Sequence, residues 1–381
     1  MKGYKKLPLI YMRGGTSKGA YLDIKDLPST QENRDACILS LYGSPDKRQI
    51  NGIGGADPLT SKVALVGKSK RSGIDVDYTF GYVGIDEAVV DYEGNCGNMS
   101  SGVGVFALLR GMVKPVEPIT VVNIYNTNTK KVIEAHIPVK KGEPVVDGDF
   151  KIDGVPGTGA PIMLYFKSPS GSKTGKLLPT GNVKDTMTLI DGRQFTVSLV
   201  DAATPAVFVK ATDLNCKGTE LPAQIENDSN GLMDTLEEIR RMAAVMMGLA
   251  MSPETASSAV PKVCLVGEPM TYKTISGQTI ENTSIDLVAR TKALKVIHKA
   301  YAVTGGICTA TAALLPGTVV HEIVSERAKK SGIVTLGHPS GTFEFAIDLT
   351  CNQQEITLRK AGVARTARPI MEGFAYVADK G

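Results

Sequence analysis

The sequence predicts two similar α+β domains in tandem, and three observations carry that prediction. A strand–turn–strand unit near the N-terminus returns at a constant offset of 187 residues, Asp26-Leu27 being matched by Asp213-Leu214 and Tyr21 by Phe208. A helical stretch follows the unit in both halves. Farther along, Asn95-Cys96-Gly97-Asn98 opens an apolar helix, and Val303-Thr304-Gly305-Gly306 opens another, 208 residues later. So long a period argues for paired domains and against a solenoid, whose repeats run about 20–50 residues. Two matching domains would leave a cleft, a common setting for a small-molecule site.

The elements follow in order. Leu9-Ile10-Tyr11-Met12 reads as a strand, and Arg13-Gly14-Gly15-Thr16-Ser17-Lys18-Gly19 as a Gly-rich turn. Ala20-Tyr21-Leu22-Asp23-Ile24 alternates like a second strand. Residues 30–41 form a helix with Ser29 or Thr30 as N-cap. Strands are expected at 61–66, 74–83, 87–92, 119–125 and 131–137 and around Phe166, with a helix at 98–113 and a polar loop at 168–175. The second half gives strands at 195–200 and 206–210, a turn at 201–205 and helices at 233–251 and 307–315. Met233, Met242, Met246, Met247 and Met251 fall on the first of these helices and read as core filler.

Composition narrows the function. Hydrophobic residues make up 42% and charged residues 22% of 381, the balance of a soluble globular chain. No apolar run approaches the length of about 18 residues that a membrane helix needs. The first residues carry charge without the apolar core of a secretory signal. A net charge of +4, without basic blocks, argues against a nucleic-acid partner. The six cysteines are scattered, as in a reduced, cytoplasmic protein. The four histidines lack ligand spacing, so no metal site is expected.

Several segments could carry chemistry. Gly15-Thr16-Ser17-Lys18-Gly19 matches G-x-S-x-G, but a strand follows it, where a hydrolase elbow requires a helix. A tight hairpin, or a turn whose amides and hydroxyls hold a carboxylate, fits better. Gly102-Val103-Gly104 lies inside a helix, so close packing explains it better than a dinucleotide site. Cys96 precedes a helix N-terminus, where the macrodipole favours a thiolate and open amides suit an anion. Lys62 starts an apolar strand, and partial burial would bring a lysine toward neutral-pH proton exchange. Asp57 is either a turn residue before Pro58 or a partner for that lysine. Arg290 ends an apolar stretch and could hold a carboxylate or a structural ion pair. Gly337-His338-Pro339-Ser340-Gly341 is a turn that is either structural or in contact with an anion.

Arg13–Gly19, the Gly54-Gly55-Ala56-Asp57-Pro58-Leu59-Thr60-Ser61-Lys62 segment, Asn95-Cys96-Gly97-Asn98, Gly337–Gly341 and Ala364-Arg365-Thr366-Ala367-Arg368 together resemble the PrpF family over essentially the whole chain. That family includes methylaconitate isomerases, oxalomesaconate tautomerase and methylitaconate Δ-isomerase. The sequence most resembles the last, the branch of nicotinate degradation. The resemblance implies a diaminopimelate epimerase-like fold: two pseudo-symmetric domains, each a mixed sheet wrapped around a central helix, with the active site in the interdomain cleft. The expected domains are 1–185 and 186–364, with 365–381 returning to the first.

The implied activity is a cofactor-independent allylic 1,3-proton shift in an unsaturated dicarboxylate, in a homo-oligomer. Lys62 and Cys96 would be the acid/base pair. Thr16, Ser17, Asn95, Gly97, Asn98, Arg290, Gly305, Gly306, His338 and Ser340 would bind substrate. Epimerases of the wider superfamily carry a cysteine at the head of each central helix. Here Val303 or Thr304 takes the second place, and Cys308 lies about a turn deeper. A cysteine-dependent racemase and a dicarboxylate-binding protein are the rival readings.

Overall fold

The computed structural model describes residues 3–293, 296–352 and 356–378. It divides into two compact units, residues 1–165 with 364–381, and residues 166–363. The division falls earlier than the expected boundary at 185, because the segment 166–185 packs with the second unit.

In the first unit, β1 (Tyr4–Gly14) and β2 (Ser17–Asp23) form an antiparallel hairpin with Gly14 opposite Ser17. Helix α1 (Gln31–Tyr42) leads to β3 (Lys62–Lys68), which lies parallel to β2 with Lys62 beside Gly19. β4 (Val76–Val83) runs antiparallel to β3. Helix α2 (Gly97–Leu109) then crosses to β5 (Ile119–Asn126), parallel to β4, and β6 (Lys131–Lys140) turns back along β5. The closing strand, Ala367–Ala378, pairs antiparallel with β1.

Alternation along β1, β2 and β3 gives this sheet two apolar faces. Leu7, Leu9, Leu22, Val63 and Leu65 form one cluster with Ile38 and Leu41 of α1. The opposite face receives α2, whose residues 97–108 are all buried. A helix apolar on every side needs neighbours on every side, and α2 packs against β1 to β6 and the closing strand. Gly102 and Gly104 permit the approach: a Cβ on Gly102 would lie 2.4 Å from Tyr21 Oη, and one on Gly104 2.2 Å from Ile137 Cδ1.

The second unit repeats the plan strand for strand. β7 (Gln194–Ala202) and β8 (Thr204–Lys210) form the hairpin, turning at Ala203 with φ +62°. Helix α3 (Leu232–Met246) leads to β9 (Lys262–Gly267), parallel to β8. β10 (Leu287–Ala293) is antiparallel to β9. The buried α4 (Val303–Leu314) precedes β11 (Ile333–His338), parallel to β10, and β12 (Gly341–Cys351) completes the series.

Three expectations need correction. The strand at 87–92 shrinks to Val90–Asp91. Helix α3 stops at Met246, so Met251 is 95% exposed, while Met247 is in the core and Met233, Met242 and Met246 pack against it. Helix α4 begins at Val303, one turn before the expected residue 307.

Candidate active site

The site in the first unit is built by the β1–β2 turn, the start of β3 and the head of α2. Cys96 is the N-cap of α2, 9% exposed, in an extended conformation at φ −129° and ψ 97°. Its carbonyl accepts the Ser100 amide at 3.0 Å and the Ser100 hydroxyl at 3.1 Å, which anchors the first turn. The Cys96 side chain makes no capping hydrogen bond. The amides of Gly97, Asn98 and Met99 therefore have no acceptor within the helix, and they point its positive end at whatever lies beyond Cys96.

Lys62 reaches the same point from β3. Its Nζ donates to Ser17 Oγ at 2.9 Å and to Cys96 Sγ at 3.6 Å, and Ser17 Oγ lies 3.8 Å from that sulfur. The Lys62 main chain is pinned. Its carbonyl accepts the Tyr42 hydroxyl, and a Cβ on the neighbouring Gly19 would come within 1.8 Å of that oxygen. Gly19 is thus required for β2 and β3 to approach closely enough for Lys62 and Ser17 to meet. Asp57 is not the partner of Lys62: its carboxylate accepts the Leu59 amide at 2.7 Å within its own turn.

The β1–β2 turn is held against α2 by a pair of side chains. Asn98 Nδ2 donates to Thr16 Oγ1 at 3.0 Å, and the Thr16 amide donates to Asn98 Oδ1 at 3.4 Å. Gly15 sits at φ +52°, and a Cβ there would fall 2.1 Å from Asn98 Oδ1. Asn95 Oδ1 accepts from Asn126 Nδ2 at 2.9 Å, so Asn95 braces the segment before Cys96. Tyr21 lies beneath, donating its hydroxyl to the Met99 carbonyl at 2.6 Å. Burial pushes its phenol well up, so it is no proton donor near neutrality.

A cavity of about 540 Å³ opens beside this cluster, lined by Thr16, Ser17, Lys18 and Thr60, by Arg13 and Arg368, and by the apolar Val155, Pro156 and Ile370. Arg13 and Arg368 were not among the expected site residues, although each ends a segment quoted for the family resemblance or begins one.

The remaining expected residues lie in the second unit. Arg290 is fully buried there. Its Nε donates to the Glu220 carbonyl at 2.6 Å and its Nη1 to the Ala289 carbonyl at 2.8 Å, and its guanidinium lies 5.1 Å from the Tyr272 ring centre. Desolvation brings its pKa down to about 10. Main-chain carbonyls thus hold Nε and Nη1, while the buried Nη2 has no hydrogen-bond partner among the described residues. His338 is 3% exposed, with Nδ1 accepting the Ser340 amide at 3.2 Å, and the Ser340 hydroxyl donates to the Lys299 carbonyl.

Because α4 starts a turn early, Gly306 is its fourth residue, and its amide bonds the Ala302 carbonyl at 2.8 Å. Gly306 therefore cannot donate to a ligand. It is a glycine for packing, since a Cβ would lie 2.0 Å from the Phe345 ring. Gly305, in the first turn, retains an amide without an acceptor inside the helix.

Against known proteins, the family profile described as PrpF protein matches residues 4–378. The chain belongs to the PrpF family. A curated relative named 3-methylitaconate isomerase, from Eubacterium barkeri, is 46% identical over 99% of this chain and 98% of its own length. Another, 2-methyl-aconitate isomerase of Shewanella oneidensis, is 36% identical over 98% and 97%. The crystal structure of a methylitaconate-delta-isomerase superposes with a TM-score of 0.86, covering 99% of this chain and 97% of that one at 46% identity. A hydroxyproline epimerase from Agrobacterium vitis, 13% identical with a TM-score of 0.57, covers 100% and 94% and shares the fold. The architecture is the diaminopimelate epimerase-like fold.

The second unit of this PrpF chain repeats the segment that carries Lys62. Lys62-Val63-Ala64-Leu65-Val66-Gly67 recurs as Lys262-Val263-Cys264-Leu265-Val266-Gly267, a repeat the sequence analysis passed over. The register agrees as well: Lys62 lies beside Gly19, two residues into β2, and Lys262 beside Ala206, two residues into β8. The partners are lost. Thr204 stands where Ser17 does, and Ala302 is the N-cap of α4, correcting the expectation of Val303 or Thr304 there. Cys308 lies inside α4, fully buried, with Sγ 3.3 Å from the Val200 carbonyl and its thiol pushed well up by burial.

Proposed function

We propose that this PrpF-family chain is an isomerase that transposes a carbon–carbon double bond in an unsaturated dicarboxylate, converting methylitaconate to dimethylmaleate. The observation that carries the reading is the meeting of Lys62 Nζ, Ser17 Oγ and Cys96 Sγ within 3.8 Å at the head of α2. The names and high coverage of the relatives support the same class.

The chemistry is two proton transfers. A C–H bond next to one carboxylate breaks, and its electron pair forms the new double bond. The pair of the old double bond takes a proton at the methylene carbon, which becomes a methyl group. No atom is gained or lost, and no electron leaves the substrate, so the step is proposed to run without a cofactor. Negative charge builds on the neighbouring carboxylate in a dienolate-like intermediate. Preorganised donors stabilise such charge without reorganising at the moment of reaction. The amides of Gly97, Asn98 and Met99 and the Ser17 hydroxyl are the donors available in the first unit. Lys62 and Cys96 divide the roles of acid and base.

A racemase using two thiols is disfavoured by Ala302 at the head of α4 and by the burial of Cys308. The proposal extends to a cytoplasmic homo-oligomer with a place in nicotinate degradation, as the resemblance implies.

The test is steady-state turnover of methylitaconate, methylaconitate and oxalomesaconate by the purified chain. The largest kcat/KM is expected for methylitaconate. A larger value for either of the others moves the substrate within the family, and no turnover of any overturns the isomerase reading.

A further inference from the structure

We propose that the cavity bounded by Arg13, Lys18 and Arg368 is an anion subsite that holds the substrate carboxylate remote from the reacting carbon. This rests on the dicarboxylate reading above and assigns residues that reading does not use.

Arg13 of β1 and Arg368 of the closing strand are directly opposite each other in the antiparallel ladder. Like charges in that position repel and destabilise the pair. Their proximity lowers the pKa of Arg13, after burial itself. Among the described residues no acidic side chain pairs with Arg13, Lys18 or Arg368, and no Asp or Glu lines the cavity. A purely structural role would leave that repulsion without compensation. A bound carboxylate offsets it.

The geometry is prepared for such a guest. The Arg13 guanidinium is fixed by neutral acceptors only. Nη1 donates to the Gly15 carbonyl at 2.8 Å and the Thr366 carbonyl at 3.1 Å, and Nη2 to Thr366 Oγ1 at 3.0 Å. These contacts orient the fork and leave its charge unneutralised. Thr366 also accepts the Gly15 amide at 2.9 Å, tying the arginine to the turn that carries Thr16 and Ser17. Arg368 is exposed, so it can move onto a ligand at little cost to packing. A volume of about 540 Å³ suits a small organic acid. Val155, Pro156 and Ile370 supply apolar wall for the carbon skeleton.

Because the cavity shares Ser17 with the Lys62–Cys96 cluster, and Thr16 with the Asn98 pair at the head of α2, a dicarboxylate could present one carboxylate to the arginines and the other to the head of α2. A substrate lacking the remote carboxylate would lose a charge-assisted, bidentate contact. The subsite thereby selects diacids over monoacids.

The experiment is calorimetric titration with methylsuccinate, a saturated diacid that cannot isomerise, and with its two monomethyl esters. It uses the intact wild-type chain, Arg368→Gln and Arg13→Lys, with circular dichroism to confirm folding. Methylsuccinate should bind wild type and bind Arg368→Gln at least tenfold more weakly. At least one monoester should bind both proteins with equal, weak affinity. Arg13→Lys keeps the charge but not the fork and should fall between. Equal binding of methylsuccinate by wild type and folded Arg368→Gln overturns the subsite, as does the absence of any arginine-dependent binding. Arginine-dependent binding without turnover of any unsaturated diacid would retain the subsite and remove the proposed reaction, so the two failures are distinguishable.

Discussion

Lys62 Nζ stands 3.6 Å from Cys96 Sγ, two side chains 34 positions apart, delivered by a parallel strand and a helix cap to one point. The separation is within reach of proton exchange, and Ser17 Oγ bridges the pair.

If the two groups share the proton transfers, each is indispensable and neither replaces the other. Cys96→Ala and Lys62→Ala should each lower kcat by about a hundredfold or more, the usual scale of general acid–base catalysis. The thermal midpoint should move little, because Lys62 is only partly buried and Ala remains a tolerable residue at the head of α2. Turnover assays paired with thermal melts check this. Near-normal turnover in either folded variant removes that residue from the reaction.

Cys308 should behave in the opposite way. It is sealed inside α4 against Val200, with its thiol held protonated by burial. Cys308→Ala is expected to keep activity within about threefold while costing about 1 kcal/mol of stability, the scale of a small buried truncation. A folded but inactive Cys308→Ala protein would restore a two-thiol mechanism.

Lys262 makes a prediction in pH. Burial lowers its pKa to about 8, from 10.5 for a free lysine. Between those values the unfolded chain binds the proton and the native chain does not. Native stability therefore rises with pH across that window, and below about pH 8 the full cost of a charged, partly buried amine is present. Lys262→Met should be more stable than wild type at pH 7, by about 1–3 kcal/mol. The advantage should shrink from pH 8 and vanish above about 10.5. Denaturant melts at pH 7, 9 and 10.5 measure it, and a pH-independent difference contradicts the assignment.

Much of the fold was legible because its signals are local. The alternation of β1 and β2 and the glycine-permitted packing of α2 can be read from neighbouring residues, and the tandem plan from the constant 187-residue offset. Cys96 was legible as a helix cap, and Lys62 as a cation at the start of an apolar strand. What was hidden depends on register and depth. That Gly19 lies beside Lys62, or that Arg13 faces Arg368, follows from strand pairing between segments far apart in sequence. That Arg290 is fully buried, with Nε and Nη1 on main-chain carbonyls, is a tertiary fact. Gly306 was misplaced as a donor because α4 begins one turn earlier than its apolar run suggests, which spends the amide inside the helix. The Lys62 and Lys262 hexapeptides were open to inspection, and comparing the two halves for identity as well as pattern would have found them.

The central claim is that Lys62 and Cys96 carry a 1,3-proton shift, and proton NMR of methylitaconate in deuterated water tests it most directly. The account predicts that wild type will convert the methylene signals into a new methyl group carrying solvent deuterium, and that Lys62→Ala and Cys96→Ala will each slow that conversion at least about a hundredfold. Conversion at the wild-type rate in either folded variant, or no exchange by the wild-type chain, would contradict it.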